Sequence, residues 1–137
     1  MEERIVARGH EHVSGTHTST FEVTTDDWLT PAGDCILAIG ADRAPAEFDP
    51  AFVEECQATE ATITGTIAVD GHETVISGRG HPDLTFDSHR SAVGRTSDYV
   101  DDRTVMVGAD AAAADLDRGL VAELSAGAEL EFVLEVE

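Results

Sequence analysis

Four of the eight arginines, Arg79, Arg90, Arg95 and Arg103, crowd the stretch from residue 79 to 103, among Ser88, Ser91, Thr96, Ser97 and Thr104. A guanidinium offers a rigid fork of donors that matches a phosphate or carboxylate, and neighbouring hydroxyls add further donors. That is the equipment of a pocket for a nucleotide, a phosphorylated metabolite or an RNA backbone. The competing use of the same residues is plain surface pairing with Asp87, Asp98, Asp101 and Asp102. Arginine also lies along apolar surface as simple packing.

The histidines suggest a second chemistry. His17-x-Ser19 and His89-x-Ser91 are paired His-x-Ser steps, and two-histidine phosphoesterases use such steps with one imidazole as base and the other as acid. Residues two apart on a strand share a face, so each step could present both groups to one cleft. Here the flanking residues are polar where that superfamily has apolar ones. His10, His12 and His17 are close enough in sequence to raise zinc, but a structural site wants four tightly spaced ligands. Neither Cys35 nor Cys56 belongs to a Cys-x-x-Cys unit. Hydrogen bonding of strand-end histidines to backbone covers the same observations, so no metal and no cofactor is expected. Asp42 and Asp110 follow buried runs at corresponding places and read best as turn or capping groups. P-loop, Gly-x-Gly-x-x-Gly, Gly-x-Ser-x-Gly and His-Glu-x-x-His motifs are missing.

Charge frames these residues. There are 28 acidic residues against 8 basic, a formal balance of −20, and every cation is arginine. Such a charge repels itself in dilute buffer, whereas at 1 M salt the Debye length falls to about 3 Å. An acidic, lysine-free sequence that still carries β-branched apolar runs throughout points to a salt-loaded cytosol. Acidity of that origin says little about partners. With no apolar run near the ~20 residues of a membrane span, no membrane association is expected. The Met1-Glu2-Glu3-Arg4 start lacks a signal-peptide pattern, which places the protein in the cytoplasm.

The elements that must position these groups fall into two similar series. Val13 to Thr24 reads as a strand, and Leu29 to Asp34 as turn chemistry. Cys35 to Ile39 is a short buried strand. Asp49-Pro50 opens a helix with Phe52, Val53 and Cys56 on one face. Thr62 to Val69 is a further strand. The order recurs with Leu84 to Val93, Thr104 to Val107, a helix from Ala111 to Leu124 and a strand from Leu130 to Val136. Ile39-Gly40-Ala41-Asp42 aligns with Val107-Gly108-Ala109-Asp110, and at the same offset Phe48-Asp49 meets Leu116-Asp117 and Phe52-Val53 meets Leu120-Val121. Asp27-Trp28-Leu29 resembles Asp98-Tyr99-Val100. A fixed offset across several elements signals internal duplication. One domain, 1–137, with pseudo-repeats at about 9–70 and 80–137 follows. Residues 70–80 have no counterpart and read as an extra connecting strand or hairpin. The fold class is α+β, in which strand–strand–helix–strand halves form a small closed or barrel-like mixed sheet with two helices. Closure would remove exposed edges. The alternative is a two-layer sheet with both helices on one face.

Arg8-Gly9-His10, His17 to Glu22, Leu29 to Ile36 and Arg103-Thr104 together resemble an archaeal family catalogued as domain of unknown function 371, over nearly the whole chain. The resemblance implies a haloarchaeal member of that family and no settled activity. Where the family tends to have Arg-Lys-Ser, this chain has Arg95-Thr96-Ser97. A second family lysine is lost between Ala109 and Ala113, while Arg43 keeps a cation at the matching place in the first half.

The expectation is therefore a cytoplasmic binding module for a phosphate-bearing ligand, a phosphorylated small molecule or RNA. Its cleft would be lined by His10, His17, Ser19, His89, Arg90, Arg95, Ser97, Arg103 and Thr104. The alternatives are a small hydrolase working through the His-x-Ser steps, or a structural subunit of a larger complex. A homodimer is compatible with any of these.

Overall fold

The computed structural model describes residues 1–137. Eight strands and two helices follow one another as β1 (Glu2–Arg8), β2 (Thr20–Thr24), β3 (Ile36–Ala38), α1 (Pro50–Cys56), β4 (Thr62–Val69), β5 (His72–Arg79), β6 (Ser91–Arg95), β7 (Thr104–Met106), α2 (Arg118–Ser125) and β8 (Glu129–Val136). Each helix is preceded by a short 3-10 turn, Pro45–Glu47 and Ala113–Asp115. The α+β class stands. No helix is long and apolar enough to cross a membrane.

The strands form two four-stranded sheets, ordered β1-β8-β4-β5 and β3-β2-β6-β7, and not a closed or barrel-like sheet. At the seams the edge strands meet only through single bridges, Arg8 to Ile39 and Arg79 to Val107. β3 and β7 have three residues each, which pair with the inner strands β2 and β6 and leave too little length for a second ladder. The first sheet is antiparallel throughout. In the second, β2 and β6 run antiparallel at the centre while β3 and β7 lie parallel on the outside.

Alternation explains the layering. β4 and β8 read as strict buried/part-exposed alternation, with Ile63, Ile67, Val69, Leu130, Phe132 and Leu134 turned inward. On β2, Phe21 and Val23 face the same core, and Phe21 meets Phe132 of the opposite sheet edge-to-face, with ring centroids 5.9 Å apart. Asp49 and Asp117 cap the helices by accepting from the amides of Ala51 and Leu120.

The two halves share one order, strand–strand–strand–helix–strand. β5 takes the place of β1 at the opposite sheet edge, so residues 70–80 are no mere connector and residues 2–8 form a first strand that alternation alone had not marked. Paired hydrogen bonds occur at corresponding places. The Asp42 carboxylate accepts from the Val6 amide and the Asp110 carboxylate from the Ser77 amide, each at 2.9 Å. These aspartates latch the two edge strands; they do not cap helices. α2 spans Arg118–Ser125 where apolar periodicity predicts Ala111 to Leu124, because Ala113–Asp115 winds as a 3-10 turn and Asp117 starts the α-helix proper. Residues 13–19 and 84–90 are loops, so β2 and β6 are shorter than the extended runs predict.

Candidate anion-binding face

The β3-β2-β6-β7 sheet carries polar residues of the arginine-rich stretch on the side away from the shared core, where Ser91 and Thr104 are nonetheless buried. Alternation along β6 puts Ala92 in the core, while Ser91, Val93 and Arg95 share the opposite side of the strand, where Ser91 and Val93 are themselves buried and Arg95 is partly exposed. β6 pairs with β2 as Thr20 with Arg95, Glu22 with Val93 and Thr24 with Ser91. The Val93 amide donates to the Arg103 carbonyl, which sets Arg103 beside the same row.

One end of this face is compact. Arg95 donates through Nε to Thr104 Oγ1 at 2.9 Å and through Nη2 to Asp101 Oδ2 at 3.0 Å. Arg103 donates through Nη2 to that same oxygen at 2.9 Å. The Arg95 guanidinium also lies 4.9 Å from the Tyr99 ring centroid, and Tyr99 is 60% exposed. Arg95 is nearly buried, while Arg103 is 43% exposed at its side chain. Burial pushes the Asp101 carboxyl up, but hydrogen bonds from Arg103 and the charges of both arginines outweigh it and hold the group at about 2. The Arg103 guanidinium is raised above its ordinary value, first by its bond to Asp101. Glu22 and Asp102 also stand within electrostatic range of Arg103.

Six of the nine expected site residues gather at or beside this end. Thr96 donates by both its amide and its hydroxyl to the Ser19 carbonyl, so the 17–19 loop abuts the last turn of β6. His17 Nδ1 accepts from the amides of Ser19 and Thr20, which makes it the organiser of that loop. Ser97 Oγ accepts from the Tyr99 amide. With Arg95, Arg103 and Thr104, these complete the group.

The other three lie apart. Arg90 is at the far end of β6, locked bidentately on Asp26 with a shortest contact of 2.6 Å. His89 precedes it and is exposed. Because β2 and β6 are antiparallel, His17 and His89 fall at opposite ends of the ribbon, beyond shared acid–base work. The residue matching His17 in the second half is Ser88, whose hydroxyl accepts from the amides of Arg90 and Ser91 just as the imidazole does from its own loop. His10 sits in the loop after β1, stacked on His12 at 5.1 Å, with Nδ1 accepting from the His12 amide. No three His, Cys, Asp or Glu side chains converge in a metal-holding group.

Sequence reasoning missed two things. Tyr99 was aligned with Trp28 but not read as part of the site, although an exposed aromatic beside arginines is the signal for base stacking. Arg8-Gly9-His10 also recurs as Arg79-Gly80-His81, and His81 Nδ1 accepts from the Asp83 amide as His10 does from that of His12. The largest hollow, about 670 Å³, lies elsewhere, between the β4–β5 turn and the start of β8. Asp70, Glu73, Glu129 and Glu131 line it, which unsuits it to an anion.

A two-sheet α+β domain whose halves share one element order, with an arginine cluster on one sheet, is thus the class in hand. The chain belongs to the family described as Domain of unknown function (DUF371), whose sequence profile matches residues 5–137. It is 40% identical over 132 residues to an uncharacterized archaeal protein of Methanocaldococcus jannaschii, covering 96% of this chain and 97% of that one.

Proposed function

We propose that the protein is a non-enzymatic binding module for a phosphate-bearing ligand, RNA or a nucleotide, working in a salt-rich archaeal cytoplasm. The observation that carries this reading is the convergence of Arg95 and Arg103 on one carboxylate oxygen beside exposed Tyr99. Two guanidiniums share one Asp101 oxygen at that point, with Glu22 and Asp102 also in electrostatic range of Arg103, so the clustered donors and the exposed ring, rather than a local charge surplus, support the reading. Arg103 would contact phosphate, Tyr99 would stack a base, and buried Arg95 would position both. The lysine-free, acidic composition is what a salt-loaded cytosol favours.

The test is binding of labelled oligouridylate and of a nucleoside triphosphate, by anisotropy, in 0.5 M and 2 M KCl. Arg103→Gln together with Tyr99→Ala should weaken binding at least tenfold while leaving the unfolding temperature within a few degrees. Arg95 is left in place because its burial makes its removal a stability experiment. Equal binding by the double variant, or none by the wild-type chain, removes the proposal.

A further inference from the structure

The two halves differ where α1 and α2 begin. Arg118 is the first residue of α2, and its guanidinium fills a groove between the helix, the 3-10 turn before it and the 14–16 loop. It donates to four carbonyls, those of Leu116 at 3.0 Å, Ala113 at 2.8 Å, Gly15 at 3.1 Å and Ser14 at 3.4 Å. In the first half the corresponding residue is Pro50, whose ring cannot reach the corresponding carbonyls of Phe48, Pro45, Phe86 and Thr85.

The frameworks around the two places match bond for bond. The Ala114 amide donates to the His17 carbonyl, and the Ala46 amide to that of Ser88, each at 3.0 Å. Ser125 Oγ donates to the Val13 carbonyl as Gln57 Nε2 does to that of Leu84. Gly15 and Phe86 share a left-handed backbone, at φ +57° and +52°. The first-half groove is therefore the same cradle without its guanidinium. It is open, with a volume of about 540 Å³. The carbonyls of Thr85, Phe86 and Phe48 accept no hydrogen bond within the chain.

Its walls differ in a way that suits an external cation. Phe48 and Phe86 replace Leu116 and Gly15, which puts two aromatic rings, 5.9 Å apart, into the lining. Glu54 and Asp87 replace Ala122 and Thr16 on the rim. Free carbonyls and carboxylates together suit a cation with several N–H donors, while the two rings, 5% and 2% exposed, form the apolar backing of the groove. The neighbouring cation, Arg43, lies over Phe48 at 5.2 Å, but Glu3 neutralises it at 2.7 Å.

We propose that this groove binds a guanidinium group supplied from outside the chain, in the pose that Arg118 adopts in the other half. The group could be carried by a small molecule or by the arginine of a protein, and the probes below separate the two.

The experiment is NMR titration of the full-length chain, in 0.5 M KCl, with agmatine, with a Gly-Arg-Gly peptide and with the same peptide carrying neutral citrulline. Saturable shifts at the amides of Val53 and Phe86 are expected with agmatine or Gly-Arg-Gly, whichever binds tighter naming the source. Citrulline should bind at least tenfold more weakly. Pro50→Arg should fill the groove from within and lower affinity at least tenfold. Glu54→Gln with Asp87→Asn should lower it several-fold, and this pair decides the matter if P50R fails to fold. No saturable response to either guanidinium probe, equal binding of the citrulline peptide, or undiminished binding by a folded P50R or by the Glu54/Asp87 pair overturns the proposal.

Discussion

Gly15 and Phe86 hold the same left-handed backbone at matching points of two loops, yet one has no side chain and the other buries an aromatic ring. Left-handed backbone costs a non-glycine residue about 1–2 kcal/mol. Phe86 tolerates that because its ring joins Phe48 and Phe52, at centroid distances of 5.9 and 6.0 Å. Removing a buried Phe ring costs about 3–5 kcal/mol, so the packing outweighs the strain.

An inverted order of stability should follow. Where φ is negative, alanine stabilises over glycine by about 0.4–1 kcal/mol through the unfolded state. At Phe86 the sign reverses, so Phe86→Gly should unfold later in denaturant than Phe86→Ala, with both below wild type. Gly15→Ala should lose about 1–2 kcal/mol from its φ of +57°. A Cβ there would also press on Val121 Cγ1 at 3.3 Å. Urea midpoints of the three variants check the ranking, and Phe86→Ala above Phe86→Gly would refute it.

Asp101 ties folding to acid. Its carboxyl is lowered from 3.8 to about 2 in the folded chain, so its contribution is full above pH 4 and fades as pH falls through 2. With solvent screening discounted, that contribution is on the order of 1 kcal/mol. Asp101→Asn should therefore unfold more easily than wild type at pH 6, and the difference should shrink to a small remainder at pH 2 and close only below it. A constant gap from pH 6 to pH 2 would show that the carboxylate charge is not what Arg95 and Arg103 use.

How much of this was legible is itself physical. The offset linking Ile39–Asp42 to Val107–Asp110 was readable because both segments make one tight corner whose backbone needs the same residues. β1 was not, since Glu2 to Arg8 is an edge strand whose polar side faces water and whose neighbours lie in β8, far along the chain. Residues 13–19 and 84–90 read as parts of strands because Val13, Thr16, Thr18, Thr85 and Phe86 carry β propensity, yet histidine and serine side chains take up their backbone amides. Clustering of Arg90, Arg95 and Arg103 in sequence said nothing of direction. The length of β6 sets Arg90 just before one end of the strand and Arg95 at the other. The Pro50–Arg118 contrast was visible as a residue pair, but its meaning needed the four carbonyls.

Cys35 offers a local probe of the same face. Burial first, and then the Glu22 carboxylate, push its thiol up to about 11. Its Sγ donates to Glu22 Oε1 at 3.5 Å. At pH 8 the thiolate fraction is then small, and iodoacetamide should modify Cys35 far more slowly than a free thiol. Glu22→Gln should speed that reaction several-fold by removing the repelling charge. A rate no faster than wild type would mean that Glu22 does not face the thiol.

Salt should act on the whole fold. With a balance of −20, self-repulsion operates over about 10 Å at 0.1 M salt and over about 3 Å at 1 M. Screening also weakens Arg90–Asp26 and Arg4–Glu131, but exposed pairs contribute at most about 1 kcal/mol each. Relief of repulsion among 28 acidic groups dominates, so the unfolding temperature should climb steadily from 0.1 to 2 M KCl. NaCl should act equally if screening is the cause. A flat or falling curve would separate the acidic composition from any need for salt.

The recurring Arg-Gly-His step gives the sharpest structural test. Gly80 lies against the end of α1, where a Cβ would stand 2.2 Å from the Cys56 carbonyl oxygen, and Gly9 lies likewise against Leu124 of α2. Each half thus closes on backbone, which cannot swing aside as a side chain can. The His81 amide donates to that same Cys56 carbonyl at 3.1 Å, so any shift that admits a methyl group also breaks this bond. Gly80→Ala should cost about 3 kcal/mol or more, in the range of severe core overpacking. Gly71→Ala, where a Cβ would meet nothing within 4 Å, should lose only the smaller cost of its positive φ. Comparable losses for the two would mean that the α1 end yields more readily than its backbone contacts imply.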